Sequence, residues 1–295
     1  MHEINNYNPV STVIWMMGAL VSFSTIAICA RELSGVMPIY HTLLVRSVIG
    51  LACIALIIAL KQRMDLFSTT KIKLHSGRNI FHFAGQYTWF WGISLLPLAE
   101  VFALEFTVPI WTAIIAAIFL NEKITGRKIL SIALGLCGVL IIVKPGYGMV
   151  EAGAFIVLAS ALLFSVSHTT SKALSRTEDS LTILFYMCLI QLPIGLILSI
   201  SDWTWPQPSD WPWLLLVSLS ALSAHFCLTR AMQYADVTTI VTLDFLRLPL
   251  IALVGVLFYQ EQFVIITDNW WADYAKWKSS GGSPLTCFST KQVFG

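Results

Sequence analysis

The sequence predicts an all-α polytopic membrane protein, built as an inverted repeat of five-helix units with nine spans recognisable. Three observations predict it. Nine stretches are apolar and long enough to cross a bilayer. Only 12% of the 295 residues are charged and 57% are hydrophobic, whereas a soluble domain carries about 25% charged residues. Short segments of the first half recur, in order, in the second.

The stretches run Ser11–Cys29, Pro38–Leu60, Asn79–Leu96, Ala99–Leu120, Lys128–Val143, Ala152–Ala173, Leu181–Ile200, Trp211–Tyr234 and Val237–Tyr259. A hydrocarbon core of about 30 Å needs roughly 20 helical residues. Backbone groups in lipid must bond within their own segment, so each stretch is expected to be helical. The first lacks a basic leader and a small-residue cleavage motif, and is expected to stay as an uncleaved anchor.

The connections set an orientation. Lys61, Arg63, Lys71, Lys73 and Arg78, then Lys123, Arg127 and Lys128, then Lys172 and Arg176 follow the second, fourth and sixth stretches. The connections after the first, third, fifth and seventh hold only Arg31 and Lys144. Positive charge stays cytoplasmic, which places the N-terminus in the cytoplasm. The acidic connection Ser201–Asp210 then lies outside, with Trp203, Trp205, Trp211 and Trp213 at the interface.

The internal likeness is read from particular residues. Leu104-Glu105-Phe106 is answered by Leu243-Asp244-Phe245, Phe119 by Phe258 and Glu122 by Glu261. Phe23-Ser24 is answered by Phe164-Ser165, and Ile49-Gly50-Leu51 by Ile194-Gly195-Leu196, with Arg46 opposite Gln191. Stretch one thus matches six, two matches seven and four matches nine. Five is odd, so the second copy enters the membrane inverted, as in many secondary transporters.

Ionisable side chains inside spans are costly and mark candidate sites. Glu105 and Asp244 are repeat mates, each followed by a proline, Pro109 or Pro249, that can kink its helix. Asp244 has Arg247 one turn on as a possible structural partner. His82, Gln86 and Trp89 share one face of the third stretch; His82 suits an interhelical hydrogen bond, and Gln86 and Trp89 a substrate wall. His168 shares a face with Ser165 and Lys172, whose ammonium is expected to snorkel to the cytoplasm. His225 lies deep in the eighth stretch, and Arg230 reads as an anchor near its end. Arg46 either grips an anionic substrate group or neutralises Glu105 or Asp244. Glu122 and Glu261 read as cap or loop residues. Ser131 and Gly135 form a small pair suited to helix contact. No cofactor, metal site, disulfide framework or nucleic-acid partner is indicated, since the cysteines lack ligand spacing and the net charge is only +2.

Taken together, Leu95-Leu96-Pro97-Leu98-Ala99-Glu100, Leu104 to Ile110, Phe119-Leu120-Asn121-Glu122, and Ile142-Val143-Lys144-Pro145-Gly146 resemble the drug/metabolite transporter superfamily, EamA type. Ala231 to Asp236 and Arg247-Leu248-Pro249 carry the likeness into the second half. The resemblance implies a ten-helix carrier of the bacterial inner membrane for amino acids, nucleotide-related compounds or drugs, with no shared catalytic chemistry. It divides the chain into a first repeat at 10–145, a second at 152–262, and a divergent, flexible tail at 263–295. The family's tenth helix is missing or replaced, because Asp268, Asp273, Lys276 and Lys278 interrupt the segment after Glu261. Two accounts are open: an altered reading frame or gene end after about Gln262, or an interfacial helix presenting Trp270, Trp271, Tyr274 and Trp277. The exposed fifth helix could then favour a homodimer. The functional expectation is alternating-access transport of a small molecule. The other readings are an inactive remnant needing a partner helix, or an intramembrane enzyme, for which no H-E-x-x-H, G-x-S-x-G or P-loop is present.

Overall fold

The computed structural model describes residues 8–96, 98–143, 152–247, 250, 251 and 253, and every regular element among them is helical. They are α1 (Pro9–Glu32), α2 (Ile39–Leu60), α3 (Ile72–Leu95), α4 (Leu98–Glu105), α5 (Val108–Phe119), α6 (Gly126–Val143), α7 (Ala152–Ser175), α8 (Ser180–Ser199), α9 (Trp211–Ala231) and α10 (Val237–Leu243). Short 3-10 turns follow α2 at Met64–Phe67 and α10 at Asp244–Leu246.

Local chemistry explains the boundaries. Asn8 caps α1 by accepting from Ser11 N at 3.1 Å, with Pro9 in the first turn, where a missing N–H costs nothing. Asp179 caps α8 through Leu181 N at 2.8 Å. The fourth apolar stretch is interrupted at Phe106-Thr107, and Pro109 occupies the first turn of α5 rather than a helix interior. The start of α10 is capped from elsewhere. Glu122 accepts from Val237 N at 3.0 Å and from Thr238 Oγ1 at 3.1 Å, while Lys128 holds Glu122 and Asp236 at 3.4 and 2.9 Å.

Burial is reversed relative to a soluble protein. Arg46, Arg78, His82, Gln86, Gln191 and Arg247 are each at most 5% exposed, whereas Ile14, Leu60, Ile118, Phe119 and Ile197 are each at least 64% exposed. Water would penalise such an apolar exterior; a bilayer accepts it and requires the polar groups to face one another. Among the described residues, six helices are long and apolar enough to cross a membrane: Pro9–Glu32, Ile39–Leu60, Glu100–Phe119, Gly153–Ser175, Ser180–Ser199 and Trp211–Ala231. The chain is an integral membrane protein. The third stretch is not among the six, although α3 has 24 residues, because α3 carries Lys73, His75, Arg78, Asn79, His82 and Gln86. The other two expected stretches are helical in α6 and α10. Pro249, the last part of the ninth stretch, Glu261 and the tail at 263–295 lie outside the described residues.

Helices far apart in sequence pair side by side: α1 with α9, α2 with α8, α3 with α7, and α5 with α7 and α10. Small residues let the α2–α8 pair close. A Cβ added at Gly195 would sit 3.1 Å from Leu44 Cβ and 3.2 Å from Leu44 Cα, and one at Gly50 would sit 2.8 Å from Cys188 Sγ. The Leu44 contact is partly backbone and cannot swing away. Gly195→Val should therefore force the two helices apart and destabilise the fold by about 1–3 kcal/mol, the usual cost of overpacking. A lowered melting midpoint in detergent, with loss of the monodisperse elution peak, is the expected readout; an unchanged midpoint contradicts the close approach.

Candidate functional site

The site begins with α3, whose one-turn spacing aligns His82, Gln86 and Trp89 toward the interior. Trp89 donates its Nε1–H to Glu105 Oε2 at 2.7 Å, which fixes the carboxylate at the end of α4. The other carboxylate oxygen, Oε1, accepts from Arg247 Nη2 at 2.7 Å. The same Nη2 reaches Asp244 Oδ2 at 2.7 Å, an i,i+3 contact within its own segment. One guanidinium thus ties Glu105 of the fourth stretch to Asp244 of the ninth. Aromatic faces enclose it: the Arg247 Cζ atom lies 4.9 Å from the ring centre of Phe102, 5.3 Å from Phe23 and 5.8 Å from Phe106, a favourable setting for a desolvated cation.

Arg46 is held differently. Its Nη2 donates to Gln86 Oε1 at 2.6 Å and to Gln191 Oε1 at 2.8 Å. The Nε2 groups of the same two glutamines turn to His82, Gln191 to Nδ1 at 2.8 Å and Gln86 to Nε2 at 3.3 Å. The neutralising partner considered for Arg46, Glu105 or Asp244, is not what the structure shows. Both acids are committed to Arg247, and Arg46 pairs only with neutral amides among the described residues. Arg78, a turn before His82, is likewise buried with neutral partners, Ser171 Oγ at 3.0 Å and Asn79 Oδ1 at 2.6 Å.

These groups surround a cavity whose enclosed part is about 70 Å³, opening into a wider space of about 770 Å³ that includes its mouth. Glu105, Asp244, Arg46, Gln86, Trp89, His168, His225 and Arg247, the residues singled out from the sequence, all line it, together with His82 and Pro109. Phe23, Phe90, Phe106 and Phe164 supply aromatic wall that sequence reading did not select. A phenylalanine in a span has the same sequence signature whether it faces lipid or cavity. His168 stacks on Phe164 with ring centres 6.1 Å apart, and His225 meets His82 edge-on at 4.6 Å. Among the described residues, His225 Nδ1 and Asp244 Oδ1 are buried without a hydrogen-bond partner, leaving polar capacity in the wall.

One residue differs from expectation. Lys172 does not snorkel to the surface. It is 2% exposed and donates to the carbonyls of Met232 and Ala235, the latter at 2.7 Å. Those carbonyls follow the C-terminus of α9, where acceptors lack intrahelical partners and a cation is favoured. Arg230 lies 5.5 Å over the ring of Trp15 and donates to Gln233 Oε1 at 3.0 Å. Among the described residues no cluster of metal-ligating side chains occurs.

With this geometry in view, the family is clear. The profile of the EamA-like transporter family matches residues 10–144 and 151–267, nearly the whole described chain. The chain belongs to that family, and so to the drug/metabolite transporter superfamily. It is 28% identical over 193 residues to a riboflavin transporter of Brucella anthropi, covering 63% of this chain and 68% of that one. It is 22% identical over 197 residues to an S-adenosylmethionine uptake transporter of Rickettsia prowazekii, covering 67% of each. A solved crystal structure superimposes with a TM-score of 0.70 at 18% identity, covering 93% of this chain and 96% of the other, and shares the fold. Family and relatives indicate a membrane transporter of small molecules rather than an enzyme.

Removing Arg247 should expose how much the site depends on it. Arg247→Met leaves Glu105 and Asp244 facing one another in a low-dielectric interior, and breaking such a buried pair costs about 3–5 kcal/mol. The variant should lose most of its thermal stability in detergent, and adding Glu105→Gln with Asp244→Asn should restore much of it. A stable single variant contradicts this electrostatic account.

Proposed function

We propose that the chain is a secondary carrier that moves a small metabolite across the bacterial inner membrane by alternating access, with the solute held in the cavity lined by Glu105, Asp244, Arg46, Gln86, Trp89, His168, His225 and Arg247. The observation that carries this reading is the bridge from Glu105 through Arg247 to Asp244. It joins the two halves at residues that correspond between them in sequence, at the wall of the cavity. Rocking of one half against the other is how carriers of this architecture alternate access.

The helix pairing supports an inverted repeat with units at 10–145 and 152–262. Exchanging the copies turns the α1–α9 contact into α7–α3, and maps α2–α8 and α5–α10 onto themselves; all of these contacts are present. The basic residues after the second, fourth and sixth stretches support a cytoplasmic N-terminus. The turn at Phe106-Thr107 and the 3-10 turn after Leu243 interrupt the α-helical pattern beside the cavity, where the backbone can meet a polar solute. Pro109 lies at the first interruption. The named substrates of the relatives, riboflavin and S-adenosylmethionine, are the first solutes to try, as ring-bearing molecules that suit a wall of phenylalanine and tryptophan.

The test is solute exchange in proteoliposomes. Vesicles holding the purified chain and loaded with a metabolite mixture, riboflavin and S-adenosylmethionine included, should accumulate or release at least one solute faster than empty vesicles. Glu105→Gln should lower that flux on the order of tenfold, the factor set by about 1.4 kcal/mol of lost interaction, with membrane abundance unchanged. No flux of any solute contradicts the proposal. Equal losses of flux and protein would make Glu105 structural.

A further inference from the structure

The hydrogen-bond network around Arg46 has a consequence that follows from donor and acceptor counting. An arginine has only donors. Both glutamine oxygens that meet Arg46 must therefore be acceptors, and both glutamine NH2 groups are left facing His82. A neutral imidazole has one N–H and one lone pair. It can accept from one of these NH2 groups and not from both. The shorter contact, 2.8 Å from Gln191 Nε2 to Nδ1, makes Nδ1 the acceptor and puts the ring proton on Nε2, opposite Gln86 at 3.3 Å. The network is satisfied at Arg46 only while His82 is neutral. It is already mismatched at one ring nitrogen.

Protonation of His82 turns both ring nitrogens into donors. The glutamine amides must then present oxygen to the ring, and that rotation takes their oxygens away from Arg46. Conversely, an oxyanion that binds the Arg46 guanidinium frees the glutamine oxygens to turn toward His82. The charged and titratable groups that act on His82 are Arg78 on its own helix, Arg46 on α2, His225 on α9 and His168 on α7. Among the described residues His82 hydrogen-bonds only neutral amides, and the two carboxylates of the same cavity, Glu105 and Asp244, are bonded to Arg247, so an incoming anion suits the balance of a proton on His82. Arg46 also lacks a carboxylate partner, and its Nε and Nη1 donate to no described residue. It lines the same cavity as His82, beside Phe23, Trp89 and Phe164.

We infer that the cavity takes a solute bearing a carboxylate on an aromatic body, that the carboxylate binds Arg46, and that one proton binds with it at His82 through the rotating amides of Gln191 and Gln86. The inference rests on the carrier reading of this cavity and specifies its substrate class. In the step, a hydronium proton from the bulk solution, taken up with the solute, adds to His82 Nδ1. The Gln191 N–H···Nδ1 bond breaks, and an Nδ1–H···Oε1 bond forms to the same side chain. The Arg46 N–H released by Gln191 bonds a carboxylate oxygen. One positive and one negative charge enter together, so the buried site keeps its net charge. A single-proton exchange suits a monoanionic carboxylate better than a dianionic phosphate.

The test uses the full chain in nanodiscs, with 3-phenylpropionate and its uncharged amide as matched probes. Carboxylate affinity should rise as pH falls, by about tenfold per unit where one proton is linked to binding, with proton uptake visible in weakly buffered solution. The amide should bind more weakly and without that slope. His82→Gln should abolish the slope and keep the preference for carboxylate; Arg46→Gln should abolish the preference. Because either variant can fail to fold, the wild-type chain with 15N-labelled histidine gives a second reading. One ring should show a bare Nδ1 and a protonated Nε2 without probe, and protons on both nitrogens with the carboxylate bound. Equal affinity for the two probes, a slope that survives in His82→Gln, or a His82 ring unchanged by the carboxylate overturns the inference. Solute flux in vesicles without carboxylate preference or proton linkage removes this inference and leaves the carrier. Proton-linked carboxylate binding without flux of any solute does the reverse.

Discussion

The architecture depends on how a few buried charges are shared out in a medium that cannot solvate them. Glu105 and Asp244 both take Arg247, and three aromatic rings close around that guanidinium. An uncompensated acid in hydrocarbon would be severely penalised. The triad therefore requires the fourth stretch and the segment after α10 to stand side by side, and α1 to bring Phe23 over the top. The contact of α5 with α10 and the cavity beside them follow from the same requirement.

That allocation also decides what is left over. With both acids engaged by Arg247, Arg46 and Arg78 are held by amides and hydroxyls. Neutral partners satisfy donors without cancelling charge. A carrier needs a site that is favourable enough to be entered and incomplete enough to be left. Two acids on one arginine, and an arginine with no acid, is an arrangement of that kind. The interior glutamines matter for the same reason: an amide can reverse its donor and acceptor ends, which a carboxylate or an arginine cannot.

Much of this was legible in the sequence, for identifiable reasons. Helical spacing puts His82, Gln86 and Trp89 on one face whatever surrounds them, and Asp244 and Arg247 are close enough in sequence to pair locally. The link from Glu105 to Arg247 was foreshadowed only by the repeat, which made Glu105 and Asp244 counterparts. The partner of Arg46 was misjudged, because periodicity says which residues share a face and not which helix lies opposite. The register that set Arg46 against Gln191 contained the answer: α2 and α8 pair with each other, so counterpart residues come into contact. Lys172 was misread because a long cationic side chain near a helix end usually snorkels; here the unpaired carbonyls after α9 offered a closer acceptor. Phe23, Phe106 and Phe164 carry no local signal at all, since lipid and cavity select the same residue type.

The central claim is that one cavity between two helical units opens in turn to each side of the membrane. Site-directed labelling at Val241, a buried cavity-wall residue, tests it most directly. In a cysteine-free background carrying Val241→Cys, sealed vesicles of known orientation are exposed to a membrane-impermeant thiol reagent from one side or the other. The account predicts labelling from both sides, in populations that shift with the solute gradient and are protected by bound solute. Labelling from one side only under every gradient, or from neither, would contradict it.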